Sequence, residues 1–139
     1  MRLVIDTSIV ISSLIKDSIT RAILLLPFLE FYLPEYALEE IGAHKTRISR
    51  LSALSFDEID ILLNLLLENI SVVPAHTIQP YFKKAERIIG NIDPKDVPFV
   101  ALALAIENEG VWSNDKHFEE IKEIKIWKTS DLLKYLKTL

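Results

Sequence analysis

The chain has 139 residues, half of them hydrophobic and 26% charged, with a net charge of −4. This length fits one domain, residues 1–139, around a single sizeable core, and the composition lies well away from disorder. No cysteine is present and the three histidines (His44, His76, His117) form no His-x-x-x-His pair, which excludes disulfides, thiolate sites and cysteine nucleophiles. Any metal would then be held mainly by oxygen, favouring magnesium or manganese over zinc. The negative charge argues mildly against a broad nonspecific grip on nucleic acid. No apolar run reaches the roughly 18 residues of a membrane span. Asp6 interrupts any signal-peptide pattern, so the expected location is cytoplasmic, with no membrane partner.

In chain order, Leu3 to Ile5 reads as a short buried strand running into a helix from Ile9 to Ile15. A second helical stretch, Ser18 to Leu26, ends at Pro27. Phe31-Tyr32-Leu33 is a strand stopped by Pro34, and Glu35 to about Ser52 reads as helix. Ser55-Phe56-Asp57-Glu58 has the form of a capping box opening another helix. Ser71-Val72-Val73 is a strand ended by Pro74, followed by a helix from about Thr77 to Ile89 and a stop at Gly90-Asn91. The apolar helix after Asp96 extends through Ala105. Gly110 to Ser113 and Lys125 to Trp127 are strands, and Thr129 to Leu136 closes the chain as a helix. Four to five short apolar strands alternating with helices predict an α/β fold with a mainly parallel twisted sheet covered on both faces. In such sheets, ligands bind beyond the carboxyl ends of the strands.

Acids occupy those ends. Asp6 follows the first strand, where an ionised carboxylate among Val4, Ile5, Ile9 and Val10 needs compensation. It serves equally as a helix N-cap or as a ligand. Asp115 repeats the arrangement after Val111-Trp112. Asp96 stands at the mouth of a helix in which no charge occurs from Val97 to Ile106. Either Asp93 caps that helix with Asp96 completing a capping box, or the helix starts later and Asp96 is free. Pro98 is harmless only in a first turn, which favours the later start or a bent first turn. On the helical wheel, Ala37, Leu38, Ile41, His44 and Ile48 share a face; Glu39 points away from it and Glu40 falls at its border, within reach of a cleft. Lys45, Arg47 and Arg50, and separately Lys83, Lys84 and Arg87, form basic groups that either hold phosphates or make solvated helix faces. Trp112 and Trp127 lie in strands and read as core.

Val4-Ile5-Asp6-Thr7-Ser8, Leu38-Glu39-Glu40-Ile41, Asp96 before Val100-Ala101-Leu102-Ala103, and Trp112-Ser113-Asn114-Asp115 together resemble the four acidic motifs of PIN domains, in the same order. The resemblance, closest to VapC-like ribonucleases, spans nearly the whole chain. It implies a three-layer α/β/α fold and RNA cleavage dependent on Mg²⁺ or Mn²⁺, often by a homodimer. In VapC-type toxins it also implies a small antitoxin partner. Asp6, Glu40, Asp96 and Asp115 correspond to the catalytic, metal-binding acids; Ser8, Ser113 and Asn114 would support the ligands or position substrate. Many members carry a further acid after the fourth motif, where this chain has His117, leaving one metal or two undecided. Asp93 is an extra acid, read here as a cap.

Converging carboxylates need a cation, and a bound ion can activate water for phosphodiester hydrolysis without a protein nucleophile. The alternatives are a catalytically silent PIN-like module that binds RNA or protein, or a housekeeping RNA-processing nuclease without an antitoxin. All four acids are present, against the silent reading. An aspartyl phosphatase would need Asp where Ser8 stands, and a Rossmann domain would need glycines after the first strand.

Overall fold

The computed structural model describes residues 1–139, which form a five-stranded, wholly parallel sheet of order β3-β2-β1-β4-β5. The strands are β1 (Arg2–Ile5), β2 (Glu30–Pro34), β3 (Ile70–Val73), β4 (Val111–Trp112) and β5 (Ile126–Trp127). Leu3, Val4 and Ile5 are all fully buried, so β1 has no solvent face, as expected of a central strand in a doubly covered sheet. Val4 lies opposite Tyr32 of β2 on one side and Val111 of β4 on the other.

On one part of the molecule α1 (Thr7–Ile15) packs against α2 (Ile19–Leu24), α3 (Tyr36–Ala43), α4 (Lys45–Ser52) and α5 (Phe56–Leu67). A second group, α6 (Ala75–Ile78), α7 (Phe82–Ala85) and α8 (Val97–Ala105), packs together, and α8 lies against β1, β2 and β4. Helix α9 (Thr129–Leu136) packs on β5. Helices thus flank the sheet in the expected α/β/α arrangement.

Ser55 caps α5 through the predicted capping box with Glu58. Trp112 and Trp127 are buried, as expected; Phe31 lies 5.7 Å from Trp112 in a tilted ring pair. Two expected helices differ. The stretch from Glu35 to Ser52 breaks at His44, two residues after Gly42, whose missing side chain weakens helical continuity. The helix expected over 77–89 is composite: α6, a 3₁₀ turn at Gln79–Tyr81, α7, and a wide π turn at Glu86–Gly90. Pro80 lies in the 3₁₀ turn, and its lack of an N–H breaks the regular ladder.

The order of connections positions the site. From β1 the chain moves to β2 and β3, then returns through α6–α8 to β4 on the opposite side of β1. The carboxyl ends of β1 and β4 therefore flank the topological switch point, where α/β sheets open a crevice.

Candidate metal centre

Asp6 leaves β1 in extended conformation and both caps α1 and faces the crevice. Its Oδ1 accepts the Ile9 N–H at 3.1 Å and the Ser8 hydroxyl at 2.6 Å. Its Oδ2 accepts the hydroxyl of Ser113, which ends β4 and is itself buried. Cap and site are thus two sides of one carboxylate. Asp6 is only 4% exposed. Burial raises its pKa, the hydrogen bonds from Ser113, Ser8 and Ile9 oppose that rise, and the charge of Asp115 adds to it.

Asp115 begins the 3₁₀ turn Lys116–Glu120, accepting the His117 N–H at 2.9 Å, while its own N–H donates to Ser113 Oγ at 3.0 Å. Asp93 caps the preceding 3₁₀ turn, Pro94–Asp96, by accepting the Lys95 N–H at 3.0 Å. Helix α8 accordingly starts after Asp96, Pro98 falls in its first turn, and the Asp96 carboxylate makes no capping bond. Asp96 is 8% exposed, and its Oδ2 is buried without a hydrogen-bond donor. Burial first, then the charges of Asp93, Asp115 and Asp6, push its pKa from 3.8 up to about 7, against the lowering effect of His117.

His117 completes this cluster. Its Nδ1 lies 3.0 Å from Asp93 Oδ2, 3.4 Å from Asp115 Oδ1 and 3.5 Å from Asp96 Oδ2. The neighbouring negative charges, that of Asp115 foremost, raise its pKa against partial desolvation.

A cleft of about 540 Å³ opens over these groups, lined by Asp6, Ser8, Asp93, Asp96 and Asp115 and, from α3, by Glu40. Glu39 is exposed and does not line it. Asn114 does not line it either: its side-chain amide donates to Thr129 Oγ1 and accepts the Thr129 N–H, both at 3.0 Å, tying the β4 exit to α9. Lys16, Arg47 and Lys95 add positive charge to the cleft, whereas Lys83, Lys84 and Arg87 lie outside its lining.

The family model for the PIN domain matches residues 4–137. The chain belongs to the PIN-domain family. The crystal structure of VapBC2 from Rickettsia felis, bound to a DNA fragment from their promoter, contains a chain of the same fold. That similarity has a TM-score of 0.66 at 16% identity and covers 92% of this chain and 98% of that one. No curated protein matches the sequence.

The residues of this PIN domain fit a hard divalent cation. The charges of Asp93, Asp115 and Asp6 raise the proton affinity of Asp96, that of Asp115 also raises that of Asp6, and one buried oxygen of Asp96 has no protein donor. A cation would satisfy that oxygen and offset the repulsion. Sequence reasoning places Asp93 as a cap, which it is, but misses that its second oxygen meets His117. The available signal is local. Asp115 caps its own turn, and this brings the side chain two residues later back over the acids.

Proposed function

We propose that this PIN domain is a metal-dependent endoribonuclease that hydrolyses RNA phosphodiester bonds, using Asp6, Glu40, Asp96 and Asp115 to hold Mg²⁺ or Mn²⁺. The observation that carries this reading is the bare, buried Asp96 oxygen in a cleft lined by all four acids. When bound, the ion would supply an activated water and neutralise charge on the scissile phosphate. The rest falls to the chain's own side chains. Ser8, Ser113 and the Ile9 N–H fix the Asp6 carboxylate in one orientation, so little order is lost when it binds a ligand. Asp96, whose pKa is pushed up to about 7 by burial and by the neighbouring acids, would be held ionised by a cation in the cleft. Lys16, Arg47 and Lys95 would meet the substrate phosphates at the rim.

We further infer a cytoplasmic toxin that acts as a homodimer and is restrained by a small antitoxin protein. Support comes from the resemblance in fold to a component of VapBC2, which is itself in a complex bound to promoter DNA. A housekeeping processing nuclease would neither arrest growth when expressed alone nor need such a partner.

The test is cleavage of structured RNAs with Mg²⁺, Mn²⁺ or EDTA, by wild type and Asp6→Asn. Cleavage should require the ion and be lost in the variant. Activity that is equal in both proteins, or indifferent to EDTA, would sink the mechanism.

A further inference from the structure

The cleft over the acids does not end at them. It follows α1 from Ser8 through Ser12 to Lys16, positions four apart along the helix and so separated by about 6 Å at each step. Its character changes on the way. Ser8 donates its hydroxyl hydrogen to Asp6 and belongs to the acidic end. Lys16 and Arg47 make the far end cationic, and neither forms an ion pair with an acid of the protein. Between the two ends the lining is neutral, with Ser12 and Ile15 of α1 and His44 at the junction of α3 and α4.

These middle residues are open to a ligand. Ser8 bonds Asp6 and Ser13 bonds the Val10 carbonyl, whereas the Ser12 hydroxyl is exposed and has no protein partner. His44 is half-buried, and its ring does not cap α4. Close in sequence to Lys16, Ser18 also lines the cleft, and its Oγ makes no hydrogen bond. The whole cleft, about 540 Å³, is far larger than an ion and its waters need and has the size of a small-molecule site.

The order acidic, neutral, cationic matches the order of groups along an RNA strand whose scissile phosphate lies at the acids: phosphate, nucleoside, next phosphate. We propose that the neutral stretch is a nucleoside pocket for the unit adjoining the scissile bond, in which Ser12 bonds the ribose 2′-hydroxyl and the base lies against His44 and Ile15. A 2′-hydroxyl both donates and accepts, as Ser12 does, and it is the group that separates RNA from DNA. The base meets a ring face and an apolar side chain, contacts that every base can make, so the pocket selects the sugar and tolerates the base. On the nuclease reading above, on which this assignment rests, Ser12 and His44 become specificity-determining residues outside the four-acid set.

The test titrates adenosine 5′-monophosphate and its 2′-deoxy analogue into the full chain in EDTA, followed by NMR of the imidazole rings. The ribonucleotide should shift the His44 ring and leave that of His76, which is outside the cleft, in place. It should bind about three- to ten-fold more tightly than the deoxynucleotide. Ser12→Ala should abolish that ratio by weakening the ribonucleotide alone. His44→Ala should weaken both by about ten-fold, and His44→Phe should restore them, because stacking needs only an aromatic face. An unmoved His44 ring, equal affinity for the two nucleotides, or a ratio untouched by Ser12→Ala overturns the pocket. RNA cleavage is read separately. Metal-dependent cleavage at the same positions and rates in wild type, Ser12→Ala and His44→Ala removes the pocket and keeps the nuclease. Ribose-selective binding through Ser12 without cleavage keeps the pocket and removes the nuclease.

Discussion

Ser113 donates its hydroxyl hydrogen to Asp6 across the junction of β4 and β1, and the same oxygen accepts the Asp115 N–H at 3.0 Å. One side chain therefore ties together the two strand exits that carry acids. Ser113→Ala leaves Asp6 Oδ2 buried without its donor, at a cost of about 1–3 kcal/mol. Chemical denaturation should register that loss. Calorimetric titration with Mg²⁺ should show weaker binding, because the Asp6 carboxylate is no longer held in place. A variant as stable as wild type would mean that the hydroxyl contributes nothing net.

Asp96, Asp6 and His117 all have raised pKa values in the folded chain, so folding increases their proton affinity. The associated stability is complete below the unfolded-state pKa and is lost as pH rises through the folded-state value. For Asp96 this window runs from 3.8 to about 7, a shift that amounts to about 4 kcal/mol at most. The contribution of His117 is lost above its ordinary 6.5. In EDTA the Tm of wild type should therefore fall across that window relative to Asp96→Asn. Saturating Mg²⁺ or Mn²⁺ should flatten the difference, since a cation stabilises the ionised acids. A wild-type Tm that rises against the variant over this range contradicts the assignment.

Glu39 and Glu40 offer a matched pair on α3. Glu40 lines the cleft and Glu39 faces solvent. Glu40→Gln should reduce metal-dependent RNA cleavage by about ten-fold or more, the scale seen when a group that orients a metal site is removed. Glu39→Gln should change neither cleavage rate nor Tm measurably. Equal losses in the two variants would point to helix stability instead of the cleft.

How far the sequence can be read depends on whether the cause is local. The β1 and β4 exits are legible because apolar runs ending in Asp mark buried strands and the crevice beyond them. Pro98 likewise signals the late start of α8, which frees Asp96 from capping. Pro80 carries an equally local signal for the broken helix before Gly90, one that the helical run around it masks. The meeting of Asp93 with His117 is harder to see. It depends on α8 leading the chain back to β4 beside β1, so that turns distant in sequence converge. The helical wheel can bring Glu40 to the border of the buried face, but only the packing of α3 against α1 opens a cleft there.

Gly110 precedes β4 with φ 131, a backbone region closed to most side chains. A Cβ at that position would also stand 2.3 Å from the Lys125 carbonyl oxygen, which accepts the Val111 N–H. Gly110→Ala must displace the β4–β5 pairing, at a cost above about 1 kcal/mol. The lowered Tm should come with weaker Mn²⁺ binding, because β4 carries Ser113 and Asp115 to the site. Gly42→Ala provides the control: nothing lies within 4 Å of its added Cβ, so its Tm should hold or rise.

Arg47 separates the two basic groups. It reaches the cleft from α4 together with Lys16 of the α1–α2 turn and Lys95, whereas Lys83, Lys84 and Arg87 lie outside the lining. In a non-cleaving Asp6→Asn background, Arg47→Ala should weaken binding of single-stranded RNA. The slope of log affinity against log salt should fall by about 0.7 for each phosphate left without its cationic partner. Lys83→Ala with Lys84→Ala should leave both affinity and slope unchanged, since a solvated helix face away from the cleft releases no counterions on binding. Fluorescence anisotropy over a salt series measures both quantities. Weaker binding by the Lys83/Lys84 variant but not by Arg47→Ala would place the RNA path across the α7 surface instead of along the acidic cleft.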